Sequence, residues 1–181
     1  MPLNQIKTYN QLLELNHLTE AQKTASLRAI FKRDIEDNEH LSFRGKKIRP
    51  IKGKDGQPAM DVLFDHLTKE SKEIKDDNGE KIKSRKEWEN DRCVRLHWIK
   101  HHIEERTPHA VTVFSFIDRV KDKGNVPRTY LYNTEEQYVV ILEPYRTKPE
   151  YYLLTAYRLT KEKGGIKQMQ QKLKNKLDEI L

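Results

Sequence analysis

The sequence has a single cysteine, Cys93. One thiol excludes an internal disulfide framework and fits a reducing compartment, so a cytoplasmic protein is expected. No apolar run comes near the ~18 residues that a membrane-spanning helix needs. The first residues, Met1-Pro2-Leu3-Asn4-Gln5, lack the basic and then apolar pattern of a signal peptide. No membrane partner is therefore expected. Residues of the AVILMFWYC set make up 35%, against roughly 45–50% apolar in typical globular domains once glycine is counted. A core is possible, but not one that spans the whole chain. The sequence also lacks a Gly-rich phosphate loop before a helix, a G-x-S-x-G turn and a cysteine pair for zinc. The stretch His101-His102-Ile103-Glu104-Glu105 has no i, i+4 histidine pair of the metalloprotease type. His97 and His101 are four apart, but two histidines without a third ligand are more simply exposed helix residues than a zinc site. No metal and no other cofactor is expected.

What is present is charge. Lys and Arg number 35 against 28 Asp and Glu, for a net +7 over 181 residues. Such an excess favours a polyanionic partner, nucleic acid first. The length predicts one domain, or one with a small appendage.

Thr19-Glu20-Ala21-Gln22 has the form of a capping box. Leu27, Ile30, Phe31 and Ile35 follow on one helical face, which predicts a helix ending near Asp37-Asn38. Residues 44–60 read as a loop, because Pro50, Gly53, Gly56 and Pro58 discourage regular structure. Six basic residues and no acidic one fall between 44 and 54, either a solvated loop or a phosphate-contacting arm. Asp61 caps a second predicted helix with Val62, Leu63, Phe64 and Leu67. Residues 69–83 are charged, with a turn at Asp77-Asn78-Gly79. A second capping box, Ser84 to Glu87, opens a predicted helix carrying Trp88, Leu96, Ile99 and Ile103, which ends before Pro108. The period then changes. Residues 110–117, 128–132, 138–142 and 151–159 are rich in β-branched and aromatic residues, with short links that favour an antiparallel meander. Ile166, Met169, Leu173, Leu177 and Ile180 form a last helical stripe.

The expected fold class is α+β: N-terminal helices packed on a four-stranded antiparallel sheet, with a C-terminal amphipathic helix. The expected division is a helical extension and basic loop over 1–60, an α+β domain over 61–160, and a C-terminal helix over 161–181.

Arg92, Arg95, His97, His101 and His102 cluster in sequence. They read either as an ordinary helix surface or as a pocket that binds and protonates a phosphate ester. Histidine titrates near neutrality, and arginine offers a planar fork to phosphate oxygens. Arg128, Tyr130 and Tyr132 alternate onto one strand face, as do Tyr151, Thr155 and Tyr157. Tyrosines so placed pack a core or an edge, or else stack bases. Arg128 stands in an otherwise apolar strand, where a guanidinium must point outward or meet an anion.

Leu63-Phe64-Asp65-His66-Leu67, Arg92 and Arg95-Leu96-His97-Trp98-Ile99 come first in a set of motifs. Arg128-Thr129-Tyr130-Leu131-Tyr132, Tyr138 to Glu143 and Tyr152 to Tyr157 complete it. In this order they resemble the phage and prophage branch of the barnase–EndoU–colicin–RelE superfamily of ribonucleases, also found as the C-terminal module of MuF-type phage head proteins. The resemblance spans about 100 residues and implies a metal-independent, toxin-like endoribonuclease of phage or mobile-element origin. In such enzymes the RNA 2′-hydroxyl attacks the adjacent phosphorus and a cyclic phosphate forms. By matching position, Arg92, Arg95, Arg128, Thr155 and Tyr157 are carried over. Arg95 and Arg128 would bind the scissile phosphate. His66 or His97 would transfer protons, with Tyr157 as the alternative, and Thr155 would bond the phosphate or a base edge. The family more often has proline where this chain has His97, a departure that implies a helix break near residue 97. Lys46, Lys47, Arg49 and Lys52, with Arg92, Tyr130 and the lysines of the last helix, would add RNA affinity. The implied partners are RNA and an antitoxin or immunity protein. Two other readings stand beside this one: a non-catalytic nucleic-acid-binding protein on the same scaffold, and a phage structural or interaction protein. The catalytic reading requires Arg95, Arg128 and one of His66, His97 or Tyr157 to converge on one cleft.

Overall fold

A computed structural model describes residues 3–51, 53, 56–75, 77–79, 81–121, 123–161 and 165–181. The fold is α+β. Helix α1 (Glu20–Phe31) begins at the expected capping box: the Thr19 hydroxyl accepts from Gln22 N at 3.3 Å, and Gln22 Oε1 accepts from Thr19 N at 2.9 Å. Leu27, Ile30 and Phe31 are buried, and a π-helical turn, Lys32–Glu36, carries Ile35 in after them.

The stretch expected to be a loop contains two strands, β1 (Ser42–Phe43) and β2 (Lys46–Pro50). They turn through Arg44 and Gly45, both at positive φ. Helix α2 (Ala59–Thr68) starts behind Pro58, with Asp61 in its first turn rather than at its cap. The charged stretch folds into a ribbon, β3 (Lys72–Lys75) and β4 (Lys81–Ser84). The long helix expected from Ser84 is instead two short ones, α3 (Asn90–Cys93) and α4 (Trp98–Ile103), separated by a turn at 94–97.

Strands β5 (Thr112–Val120), β6 (Gly124–Asn133), β7 (Tyr138–Pro144) and β8 (Glu150–Arg158) form the expected antiparallel meander. The sheet is nevertheless six-stranded and mixed, in the order β1-β2-β8-β7-β6-β5, not four-stranded and antiparallel. β2 adds parallel to the first half of β8, from Lys47 opposite Glu150 to Pro50 opposite Leu153. Helix α5 (Gly165–Lys174) is shorter than its stripe predicts. Met169 is buried, Ile166 is exposed, and Leu177 and Ile180 lie beyond the helix end.

Period-two alternation sends the strand side chains into two cores, one on each face of the sheet. Leu131, Val140, Leu142, Leu153 and Ala156 pack with residues of the first four helices, among them Phe31, Phe64 and Trp98. Tyr130, Tyr132, Val139 and Ile141 pack with Met169 of α5. A β-bulge falls between Ile141, opposite Thr155, and Leu142, opposite Leu153. Leu154 is the extra residue, and past it Thr155 and Tyr157 share the α5 face with Ile141 and Val139.

His102, fully buried in the first core, donates from Nδ1 to the Trp98 carbonyl at 2.8 Å. Its Nε2 accepts from Asn133 Nδ2 at 3.3 Å. Burial above all pushes its pKa from 6.5 down to about 4. The imidazole is neutral in the fold, so its contribution is complete above pH 6.5 and is lost as the pH falls toward 4. At about 1.4 kcal/mol per pH unit, that loss is about 3 kcal/mol. Urea unfolding at pH 7.5 and pH 4.5 should show it: the wild type loses more stability between the two than His102→Asn does.

Candidate functional site

Amphipathic helix α2 buries Leu63, Phe64 and Leu67, which leaves His66 half-buried in its last turn beside β8. β2 covers the edge of β8 only as far as Leu153. Past that point the β8 edge is met by α2 and α3 instead, and a polar cluster gathers there.

Arg92 of α3 is its centre. Its Nη1 donates to the His66 carbonyl at 2.7 Å and to Thr155 Oγ1 at 2.8 Å. Its Nε donates to Glu89 at 2.7 Å, and its guanidinium lies 5.2 Å from the centre of the Tyr157 ring. Arg85 joins from the end of β4, with Nη1 donating to the Lys69 carbonyl at 2.9 Å. Among the described residues, Arg85 has no carboxylate at ion-pair distance.

Two guanidiniums and an imidazole thus crowd one edge, and burial acts on each. Burial, and then the charge of Arg85, push the His66 pKa from 6.5 down to about 4, so its imidazole is neutral at physiological pH. Burial, and then Arg92, push Arg85 down to about 10, with Asp65 pulling the other way. Burial also lowers Arg92. Two partly desolvated guanidiniums side by side make a site in which an added anion is stabilised.

Tyr157 links this edge to the α5 face of the sheet. Burial raises its phenol pKa; Arg92 and Arg128 act against that rise, and Asp118 adds to it. Beyond it, Arg128 Nη1 donates to Asp118 Oδ2 at 3.3 Å. The Tyr130 hydroxyl and Lys172 Nζ of α5 donate to the same carboxylate, and Lys172 Nζ is 2.7 Å from Tyr130 Oη. Burial, and then Asp118, raise the Tyr130 pKa.

His66, Arg92, Thr155 and Tyr157 therefore meet, with Arg128 and Tyr130 on the same sheet face. Arg95 and His97 do not join them. The Arg95 guanidinium sits on the opposite face, bonded to Asp91 and 5.2 Å from the Trp98 ring, with Nε buried and unpartnered. His97 is buried too, with Nε2 3.2 Å from the Thr8 carbonyl oxygen. The expected pairing of Arg95 with Arg128 is thus corrected: they lie on opposite faces, and Arg92 stands where Arg95 was expected. No family model, curated protein or solved structure matches the chain.

The remaining basic candidates are dispersed. Lys46 Nζ lies 5.0 Å from the Tyr151 ring, Arg49 pairs with Glu150 at 2.9 Å, and Lys47 is exposed. All three are on β2 rather than on a loop, and Lys52 lies outside the described residues. Among the described residues, no group of three or more His, Cys, Asp or Glu is arranged to hold a metal. Arg85 and Asp118 are the residues that sequence reasoning missed. Arg85 stands in a long charged run without periodicity, and Asp118 in a strand whose partners could not be known in advance.

Proposed function

We propose that this protein is an endoribonuclease that cleaves RNA by 2′-hydroxyl attack without a metal, with the β8 edge as its active site. One observation carries the reading: His66, neutral by its surroundings, is grouped with Arg85, Arg92, Thr155 and Tyr157. In this mechanism the scissile phosphate sits against Arg92 and Arg85, and Thr155 bonds one of its oxygens. The His66 imidazole takes the proton of the 2′-hydroxyl, and the 2′-oxygen forms a bond to phosphorus. The bond from phosphorus to the 5′-oxygen breaks, and Tyr157 gives that oxygen its proton. The guanidiniums stabilise the charge that builds on the phosphoryl oxygens. A free imidazole with a pKa of about 4 is a weak base, and the incoming phosphate corrects this. Its negative charge offsets Arg85 and raises the affinity of His66 for a proton.

The test is incubation of purified protein with single-stranded RNA in the presence of a chelator. Fragments ending in a 2′,3′-cyclic phosphate are expected. His66→Asn should slow their appearance by about 10²–10⁴-fold, the usual contribution of a positioned acid or base. Intact RNA with salt-sensitive binding still measurable would make the protein a binding module instead.

A further inference from the structure

We propose that Tyr145 and Tyr152 form a platform on which one base of the RNA stacks, one nucleotide away from the scissile phosphate. This rests on the ribonuclease reading for its substrate and extends it to two residues that take no part in the chemistry. Of the eight tyrosines, six pack into or against one of the two cores. Tyr145 and Tyr152 join neither. Both are half-buried, and their ring centres lie 4.9 Å apart with the planes inclined at 39°. The turn between β7 and β8 brings them together, with Tyr145 N donating to Glu150 O at 2.9 Å. Outside the cores the two rings add only a surface pairing to the fold, and they leave aromatic surface in water.

The pair stands beside the site and on the same sheet face as Thr155. Tyr152 is opposite Glu143 on β7, and Thr155 is opposite Ile141. Glu143 and Ile141 are two positions apart, so they share a face. The bulge at Leu154 thus brings Tyr152 and Thr155 onto one face although they are three apart in sequence. Two ladder positions span about 7 Å at ~3.3 Å per residue, the step from one nucleotide to the next in an extended strand. The surrounding charge suits a polyanion. Lys47 and Arg49 of β2 stand opposite Glu150 and Tyr152. Arg146 and Lys148 are exposed in the turn, with Lys148 Nζ 6.0 Å from the centre of the Tyr145 ring. The carboxylates there are Glu143 and Glu150, and Arg49 pairs with Glu150 at 2.9 Å. Four cations thus stand with two carboxylates. A base lies on a ring only when it is out of a duplex, so the occupant is an unpaired stretch of RNA. Every base has a π-face, so the platform selects single strands rather than a sequence.

The test uses a short 2′-O-methyl oligoribonucleotide, which cannot be cleaved, and an abasic strand with the same backbone and length. Tyr152→Leu should weaken binding of the oligonucleotide about tenfold or more, the usual loss when a stacked base loses its aromatic partner. The salt dependence should not change, because no phosphate contact is lost. Tyr152→Phe keeps the ring and should bind as the wild type does. On the abasic strand the wild type and Tyr152→Leu should be equal. An equal loss on both strands overturns the platform, because the variant would then disturb the fold or the backbone contacts. So does a duplex that binds the wild type as tightly as the single strand does. Unchanged binding by Tyr152→Leu also overturns it, and cleavage of natural RNA by the wild type would then leave the ribonuclease reading standing without the platform. Binding lost in Tyr152→Leu but not on the abasic strand, with natural RNA left intact by the wild type, keeps the platform and removes the chemistry.

Discussion

Arg92→Lys should lower the rate of RNA cleavage by about 10²–10³-fold, the loss seen when one preorganised donor to a developing oxyanion is removed. Lysine keeps the charge but not the fork. Arg92 holds the His66 carbonyl and Thr155 with one nitrogen and Glu89 with another. A compact ammonium on a flexible stem cannot reproduce that geometry. Keeping the charge matters for the experiment: Glu89 and Arg92 are both largely buried, and an uncharged replacement would leave the carboxylate without its counter-ion. The companion variant is Arg95→Lys, three residues on in sequence but with its guanidinium against Trp98 and Asp91 rather than at the β8 edge. It should cleave at close to the wild-type rate. If Arg95→Lys lost activity and Arg92→Lys kept it, the site would not lie at the β8 edge.

Asp118→Ala should cost about 3–5 kcal/mol of folding stability, the usual result of breaking a buried ion pair from one side. The Asp118 carboxylate is buried and receives Arg128, Tyr130 and Lys172 together. Without it, two cations face each other with no negative charge between them. The hydroxyl of Tyr130 also loses its acceptor. Lys172 belongs to α5, so the damage should fall first on that helix. Chemical denaturation followed by far-ultraviolet circular dichroism would measure the total. Amide exchange at α5 would show whether that helix loosens before the sheet. A loss below about 1 kcal/mol, the range of an exposed pair, would mean that the cluster is solvated and does not anchor α5.

Much of the fold was legible because its signals are local. The Thr19 capping box and the β-branched runs of β5 to β8 act within a few residues of themselves. β2 was not legible, because its partner on β8 stands a hundred positions away and its own residues are basic and bounded by Gly and Pro. The β3–β4 ribbon was hidden for a related reason. It buries almost nothing, so it leaves no apolar alternation to read. In the site, His66, Thr155 and Tyr157 lie together, and Arg95 lies apart from them. Arg92 and Arg95 would share a face on an unbroken helix. The turn at 94–97 ends that helix at Cys93, and Arg95 packs against Trp98 instead of reaching the β8 edge. The strand alternation that put Tyr151 on one face with Thr155 and Tyr157 did not hold: the bulge at Leu154 leaves Tyr151 in the first core and turns the other two to the α5 face.

The order in which these parts leave the ribosome has a consequence of its own. His66, Arg85 and Arg92 are made before Thr155 and Tyr157, more than sixty residues ahead of them. The strand that precedes them, β2, has no place in the sheet until β8 exists, and contacts so distant in sequence close late. A nascent chain therefore carries the cationic half of the site without the surface that completes it. The proposed site is thus assembled only after β8 has been made and has met α2 and α3.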